Sequence, residues 1–167
     1  MANPMYGQNK ADNALDYGKS KVVWCDVDTV LTEAQSGATV FVNAAAISIT
    51  LPKAKPGLNF TVILGVETTA GADILASAES DCFFGIIRLF SDTVDQTGVP
   101  QQISHATATA APGSYDTMDF VADTATLGGM AGDKIELRAV DNLAWHCSAD
   151  LTTTQNDPGT VAVIVAS

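Results

Sequence analysis

Beyond its first twenty positions the chain alternates apolar and polar residues with a period of two, the pattern of strands that lay one face on a core. Ile47, Ile49 and Leu51 alternate with Ser48 and Thr50 until Pro52 stops the run, and "KAKPG" then supplies a turn through Pro56-Gly57. Leu58, Phe60, Val62 and Leu64 take one side of the next run, with Asn59 and Thr61 on the other. The two runs predict a hairpin with a five-residue connection. Toward the C-terminus, Ile135, Leu137 and Ala139 alternate with Lys134, Glu136 and Arg138. After Asp141-Asn142 the alternation resumes, with Leu143, Trp145, Cys147 and Ala149 set against Ala144, His146 and Ser148. This predicts a tight hairpin with the Asx pair at its turn.

Two runs are apolar on both sides. "VAVIV", residues 161–165, reads as a strand buried on both faces. "CFFGIIRLF", residues 82–90, reads either as a central core strand or as a strand whose second face another subunit covers. The second reading is preferred, and it makes Phe83, Phe84, Ile86 and Phe90 the candidates for subunit contact. Residues 92–115, rich in Gly, Pro, Thr and Ala, are loop-like with one weak strand. No long amphipathic helical pattern occurs, and eight or more short strands separated by turn residues predict an all-β fold, a β-sandwich or jelly-roll-like domain over residues 21–167.

Residues 1–20, "MANPMYGQNKADNALDYGKS", are small and polar, with Tyr6 and Tyr17 as the large anchors and room for one helical turn over residues 10–15. They read as an extended N-terminal arm. No apolar segment there has the character of a secretory signal, and no run reaches membrane-spanning length, so a soluble product made in the cytoplasm is expected, with no membrane partner.

Composition narrows the function classes. With 167 residues, 47% of them hydrophobic, the chain suffices for one domain with a core. Nineteen acidic residues against eight basic ones give a formal charge of −11, which repels a phosphate backbone and argues against a nucleic-acid partner. Cys25, Cys82 and Cys147 are odd in number and widely spaced, and they read as buried apolar residues rather than a disulfide framework or a metal knuckle.

One stretch has the letters of an active site. "VVWCDVDTVLT", residues 22–32, runs an apolar strand into Asp-x-Asp, as haloacid-dehalogenase phosphatases do to present a nucleophilic and an acid/base aspartate on a Mg²⁺ site. That chemistry also needs a parallel sheet with helical crossovers, and none is encoded. Asp26 and Asp28 read instead as the polar side of a first strand. His105 falls in the Thr/Ala-rich loop, and His146 and Cys147 point to opposite faces of one strand, so neither histidine suggests a metal site. Trp24, Trp145 and Tyr115 could stack a sugar, yet both tryptophans alternate with apolar neighbours and read as core. No catalytic residue and no cofactor is assigned, and the chain is not expected to be an enzyme.

"LTEAQSGATVFVNAAAISITLPKAKPGLNFTVILG", residues 31–65, resembles a segment of structural proteins of tailed bacteriophages, in which a Ser-Gly turn leads through a strand to an alternating run ending in Leu-Pro and then to an aromatic strand. "GDKIELRAVDNLAWHCSA", residues 132–149, is similar to a later hairpin of the same proteins, and the N-terminus resembles the start of small virion proteins of marine phages. The resemblance implies a capsid decoration (cement) protein on the outer surface of the head. It further implies the major capsid protein as partner and self-association, expected as a homotrimer. On this view Tyr6, Lys10, Leu15, Tyr17 and Lys19 of the arm are candidates for capsid contact. A head- or tail-fibre module that binds host glycans is the alternative, and a Mg²⁺ phosphohydrolase the remote one.

Overall fold

The computed structural model describes residues 21–68, 73–76, 81–91, 101–103, 116–119, 121–122, 125–126, 129–153 and 164–165. The arm with Tyr6, Lys10, Leu15, Tyr17 and Lys19, together with His105, Tyr115 and residues 161–163, lies outside them. Among the described residues the regular structure is strand, apart from one 3-10 turn at Glu33–Gln35. The protein is all-β, built of mixed sheets.

The strands are β1 (Val22–Cys25), β2 (Thr29–Val30), β3 (Ala38–Val42), β4 (Ser48–Thr50), β5 (Asn59–Leu64), β6 (Asp73–Leu75), β7 (Cys82–Ser91), β8 (Gln101–Ile103), β9 (Thr117–Asp119), β10 (Val121–Ala122), β11 (Ala125–Thr126), β12 (Lys134–Ala139), β13 (Ala144–Thr153) and β14 (Ile164–Val165). A seven-stranded sheet runs β1-β3-β5-β12-β13-β7-β8, and a five-stranded sheet runs β14-β9-β6-β4-β2. β10 and β11 form a separate antiparallel pair.

The first six strands alternate between the sheets. β1, β3 and β5 are parallel neighbours in the larger sheet, and β2, β4 and β6 are parallel neighbours in the smaller one. The chain thus winds in three coils, each giving one strand to each sheet. Parallel strands need a long crossover, and here a strand of the opposite sheet fills the place a helix usually takes.

This winding corrects the expected hairpin between the Ile47–Leu51 and Leu58–Leu64 runs. β4 and β5 do not pair, because they lie in different sheets. Alternation fixes which face is buried, and says nothing of which strand is the partner. The connection itself shows the reason. Leu51, Pro52 and Ala54 are buried, so the chain passes over the core instead of turning back at the surface. The buried Asp81 carboxylate holds it there, with Oδ2 accepting from the Ala54 N–H at 2.7 Å.

The C-terminal hairpin does form. β12 and β13 are antiparallel, with Ala139 opposite Trp145 and Lys134 opposite Asp150. The Asp141 side chain makes the turn by accepting from the Leu143 N–H at 2.7 Å. Leu143 itself is an exposed loop residue, and the strand begins at Ala144. β12 alternates strictly, its Ile135, Leu137 and Ala139 buried and its Lys134, Glu136 and Arg138 exposed.

One apolar cluster joins both sheets. Val40, Val42, Phe60, Val62, Leu64, Phe83, Ile135, Leu137, Trp145 and Leu151 from the larger sheet meet Ile49, Ile74 and Met118 from the smaller. Trp145 is fully buried and tilts against Phe60 at 6.0 Å between ring centroids. The loop before β12 is closed by Asp133, whose Oδ2 accepts from the N–H groups of Gly129 (3.0 Å), Met130 (3.0 Å) and Thr152 (2.7 Å). Gly129 and Gly132 take φ of 109° and 101° in that loop, a region side chains avoid.

Candidate functional site

The outer face of the larger sheet carries most of the exposed chemistry. Strand register lines its side chains into rows. Val22, Thr39, Thr61, Glu136, Ser148 and Ile86 form one row, and Trp24, Phe41, Ile63, Lys134, Asp150 and Arg88 form the next. A third, shorter row holds Asn59, Arg138, His146 and Phe84. The face is aromatic on β1 and β3, ionic on β12 and β13, and apolar again on β7.

Trp24 stacks on Phe41 with centroids 4.6 Å apart, and Phe84 meets the His146 ring edge-on at 5.3 Å. Arg88 pairs with Asp150 at 3.0 Å and Lys134 with Glu136 at 2.6 Å. Both pairs are half-exposed and screened by solvent, so they contribute little to stability. The hydrogen bond to Glu136 raises the Lys134 pKa, so this ammonium stays charged. Arg138 makes no ion pair among the described residues. Three of the eight basic residues of the chain sit on this face, where Glu136 and Asp150 are the acidic residues among those described, in a protein whose net charge is −11.

A groove of about 470 Å³ crosses this face between β5, β12 and β13. Asn59, Thr61, Glu136, Arg138, His146 and Ser148 are its polar lining. Donors and acceptors are mixed along it, and it is open on its solvent side.

The second exposed feature is the first coil. Val22, Trp24, Val27 and Val30 are 49%, 65%, 69% and 71% exposed, four of the seven exposed large hydrophobic residues among those described. They occupy β1, β2 and the bend between, and β1 and β2 are terminal strands of their respective sheets. Apolar side chains thus gather where both sheets end. Large exposed apolar patches on soluble domains mark surfaces that another molecule covers.

The expected site residues are distributed as follows. Phe83 points inward and is fully buried in the core, so it cannot touch another subunit. Phe84 is half-buried on the outer face and Ile86 is 40% exposed there, while the side chain of Phe90 lies outside the described residues. β7 is an interior strand, parallel to β13 and antiparallel to β8. Trp145 is core as expected, and Trp24 is not, because its strand is the sheet edge and its parity is outward.

Asp26 and Asp28 do not share a strand face. β1 ends at Cys25, and both aspartates lie in the bend that carries the chain across to β2. Asp26 Oδ1 accepts from Asn43 Nδ2 at 3.0 Å, and Asp28 Oδ1 accepts from the Ser48 N–H at 2.9 Å. They pin the first coil to the second. The three cysteines are free and buried. Burial raises the pKa of each thiol, most for Cys147, which is pushed up to about 12. A thiol so held is a poor nucleophile. Among the described residues no group of three or more His, Cys, Asp and Glu could hold a metal ion, and no helix is long and apolar enough to cross a membrane.

Sequence reading passed over both surface features. The groove row could have been found by stacking the β5 and β12 alternations, which place Asn59 and Thr61 on the same side as Arg138 and Glu136. The exposed first coil carries no local signal, since a valine on an outward edge reads like a valine in a core. Comparison with protein-family models, with curated proteins and with solved structures gives no match to this chain.

Proposed function

We propose that the chain is a virion structural protein that decorates the outer surface of a tailed-phage head, its two sheets forming the halves of a β-sandwich and its arm docking on the major capsid protein. The observation that carries this reading is the apolar first coil. Val22, Trp24, Val27 and Val30 stand exposed directly after residues 1–20, at the point where an arm that clasps a neighbour would enter the domain. A subunit that is covered once assembled can keep such residues on its surface, and the strong negative charge keeps it dispersed before assembly and away from the packaged genome.

The experiment is to add the purified chain, whole and lacking residues 1–20, to heads assembled without it, and to image the particles. The whole chain is expected to occupy regular positions on the head, and the shortened one to remain folded and leave the heads bare. Full occupancy by the shortened chain would refute the arm's role, and no binding by either would refute decoration.

The polar groove favours a second reading, a glycan-binding module of a head or tail fibre. Arg138, Glu136, Asn59 and His146 offer the mixed donors and acceptors that hydroxyl groups use, with Phe84 against His146. A glycan array with the parent chain and Arg138→Ala decides it. A sugar retained by the parent and lost by the variant supports this reading, and an empty array removes it.

A further inference from the structure

Among the described residues no strand pairs with the outer edge of β1 in the larger sheet. The carbonyls of Lys21 and Cys25 accept from the N–H groups of Thr39 at 2.7 Å and Asn43 at 2.9 Å, in the parallel register that sets Val23 beside Val40. Along a parallel ladder, residues of one parity turn both backbone groups to the partner, and those of the other parity turn both away. Lys21, Val23 and Cys25 therefore bond to β3, whereas Val22 and Trp24 aim N–H and C=O at the open side, where no described strand lies.

We propose that this edge pairs with the same edge of a second copy of the chain, β1 against β1 in antiparallel sense, about a two-fold axis at Val23. The parities agree. Such an axis sets Val22 opposite Trp24 of the second copy, and each such pair exchanges both of its free backbone bonds, four in all. It also keeps both side chains on the outer face, so that Val22 packs on the second copy's indole at each end. A parallel pairing or a shift of one residue loses this match.

Charge selects the same direction. Lys21 precedes the uncharged β1 and Asp26 follows it, so the antiparallel arrangement brings opposite charges together at each end of the seam, and a parallel one would align like charges. Val27 and Val30 continue the apolar surface onto β2, the terminal strand of the smaller sheet, so the contact extends beyond four residues of backbone. The contact is isologous and closed, and it joins two seven-stranded sheets into one. This two-fold pair takes the place of the trimer that resemblance alone suggested. It does not rest on the decoration reading, since it forms in solution without heads.

Sedimentation of the full chain at micromolar concentration is expected to give a dimer. Trp24→Pro removes an N–H that points to the open side and spares the bonds to β3, so it is expected to give a folded monomer. Oxidation of two cysteine variants reads the register without relying on that substitution. Val23→Cys, on the axis, faces its own copy at about 4.5 Å between Cα atoms and closes a disulfide, whereas Val22→Cys faces Trp24 and stays unlinked. The native thiols are buried. The chain lacking residues 1–20 is expected to remain a dimer. A monomeric parent overturns the proposal. Equal cross-linking of the two cysteine variants does the same, and so does a dimer that disappears with residues 1–20, which would make the arm the occupant.

Discussion

Replacing Asp133 by alanine should be among the most damaging single changes outside the apolar core. Its Oδ2 is the acceptor for three backbone N–H groups, those of Gly129, Met130 and Thr152 at 3.0, 3.0 and 2.7 Å. The Gly129 donor is buried and the other two are part-buried. Leaving one buried N–H without an acceptor costs about 1–3 kcal/mol, and a part-buried donor that water can partly reach costs less. The total is about 3–5 kcal/mol, a large share of the stability of an ordinary domain, roughly 5–15 kcal/mol. Asp133→Asn keeps one acceptor oxygen and should cost about 1–2 kcal/mol by the same reasoning. Asp150→Ala, which removes only a half-exposed ion pair with Arg88, should cost less than about 0.5 kcal/mol. Urea unfolding followed by circular dichroism measures all three, and the alanine variant should melt roughly 10 °C lower at this chain length. A cost below about 1 kcal/mol for Asp133→Ala would refute the clasp, as would equal costs for Asp133 and Asp150.

Three further outcomes follow from the same packing. Gly85 sits in β7 opposite Cys147 at φ 147°, and an added Cβ would run into the Cys147 carbonyl; Gly85→Ala should yield insoluble or grossly destabilised protein, and a normal melting curve would show the strand pairing there to be wrong. Trp145→Ala should cost about 3–5 kcal/mol through the cavity it leaves, whereas Trp145→Phe should cost far less, because the Trp145 indole N–H is buried without a partner and its loss carries no penalty. For Cys147, a folded pKa raised from 9.0 to about 12 means that the stability it contributes is complete below pH 9 and lost as pH rises toward 12. The loss reaches about 4 kcal/mol, and Cys147→Ala should flatten this alkaline decline relative to the parent, while parallel curves would show the thiol to be ordinary.

Period-two alternation was enough to find β4, β5, β12 and β13 and the buried face of each, because burial of one side is a local property of the chain. Ile49, Phe60 and Leu64, and Ile135 and Leu137 all face inward as their spacing requires. Partner choice was legible only where the connection was short. The Asp141-Asn142 turn ties β12 to β13, whereas the segment between Leu51 and Leu58 spends buried residues on a passage between sheets that alternation does not distinguish from a turn. Edge position is likewise nonlocal. The exposure of Trp24 follows from β1 being the last strand of its sheet, and the inward placement of Phe83 from the parity of β7 against β13. Asp26 and Asp28 mislead for a related reason, since two carboxylates two residues apart look alike on a strand and in a bend that stitches one coil to the next.

The three coils at the start of the domain pair in sequence order, each strand on the one before it in its own sheet. β3 lies on β1 with Val22 beside Thr39, β5 lies on β3 with Ala38 beside Phe60, and no later described strand lies between them. A further coil placed before Val22 would pair only with β1 and β2, the terminal strands of the two sheets, and would leave every other described strand pair as it is. Growth by whole coils at that end is therefore compatible with the existing pairing, while β12 and β13, locked between β5 and β7, admit no such step.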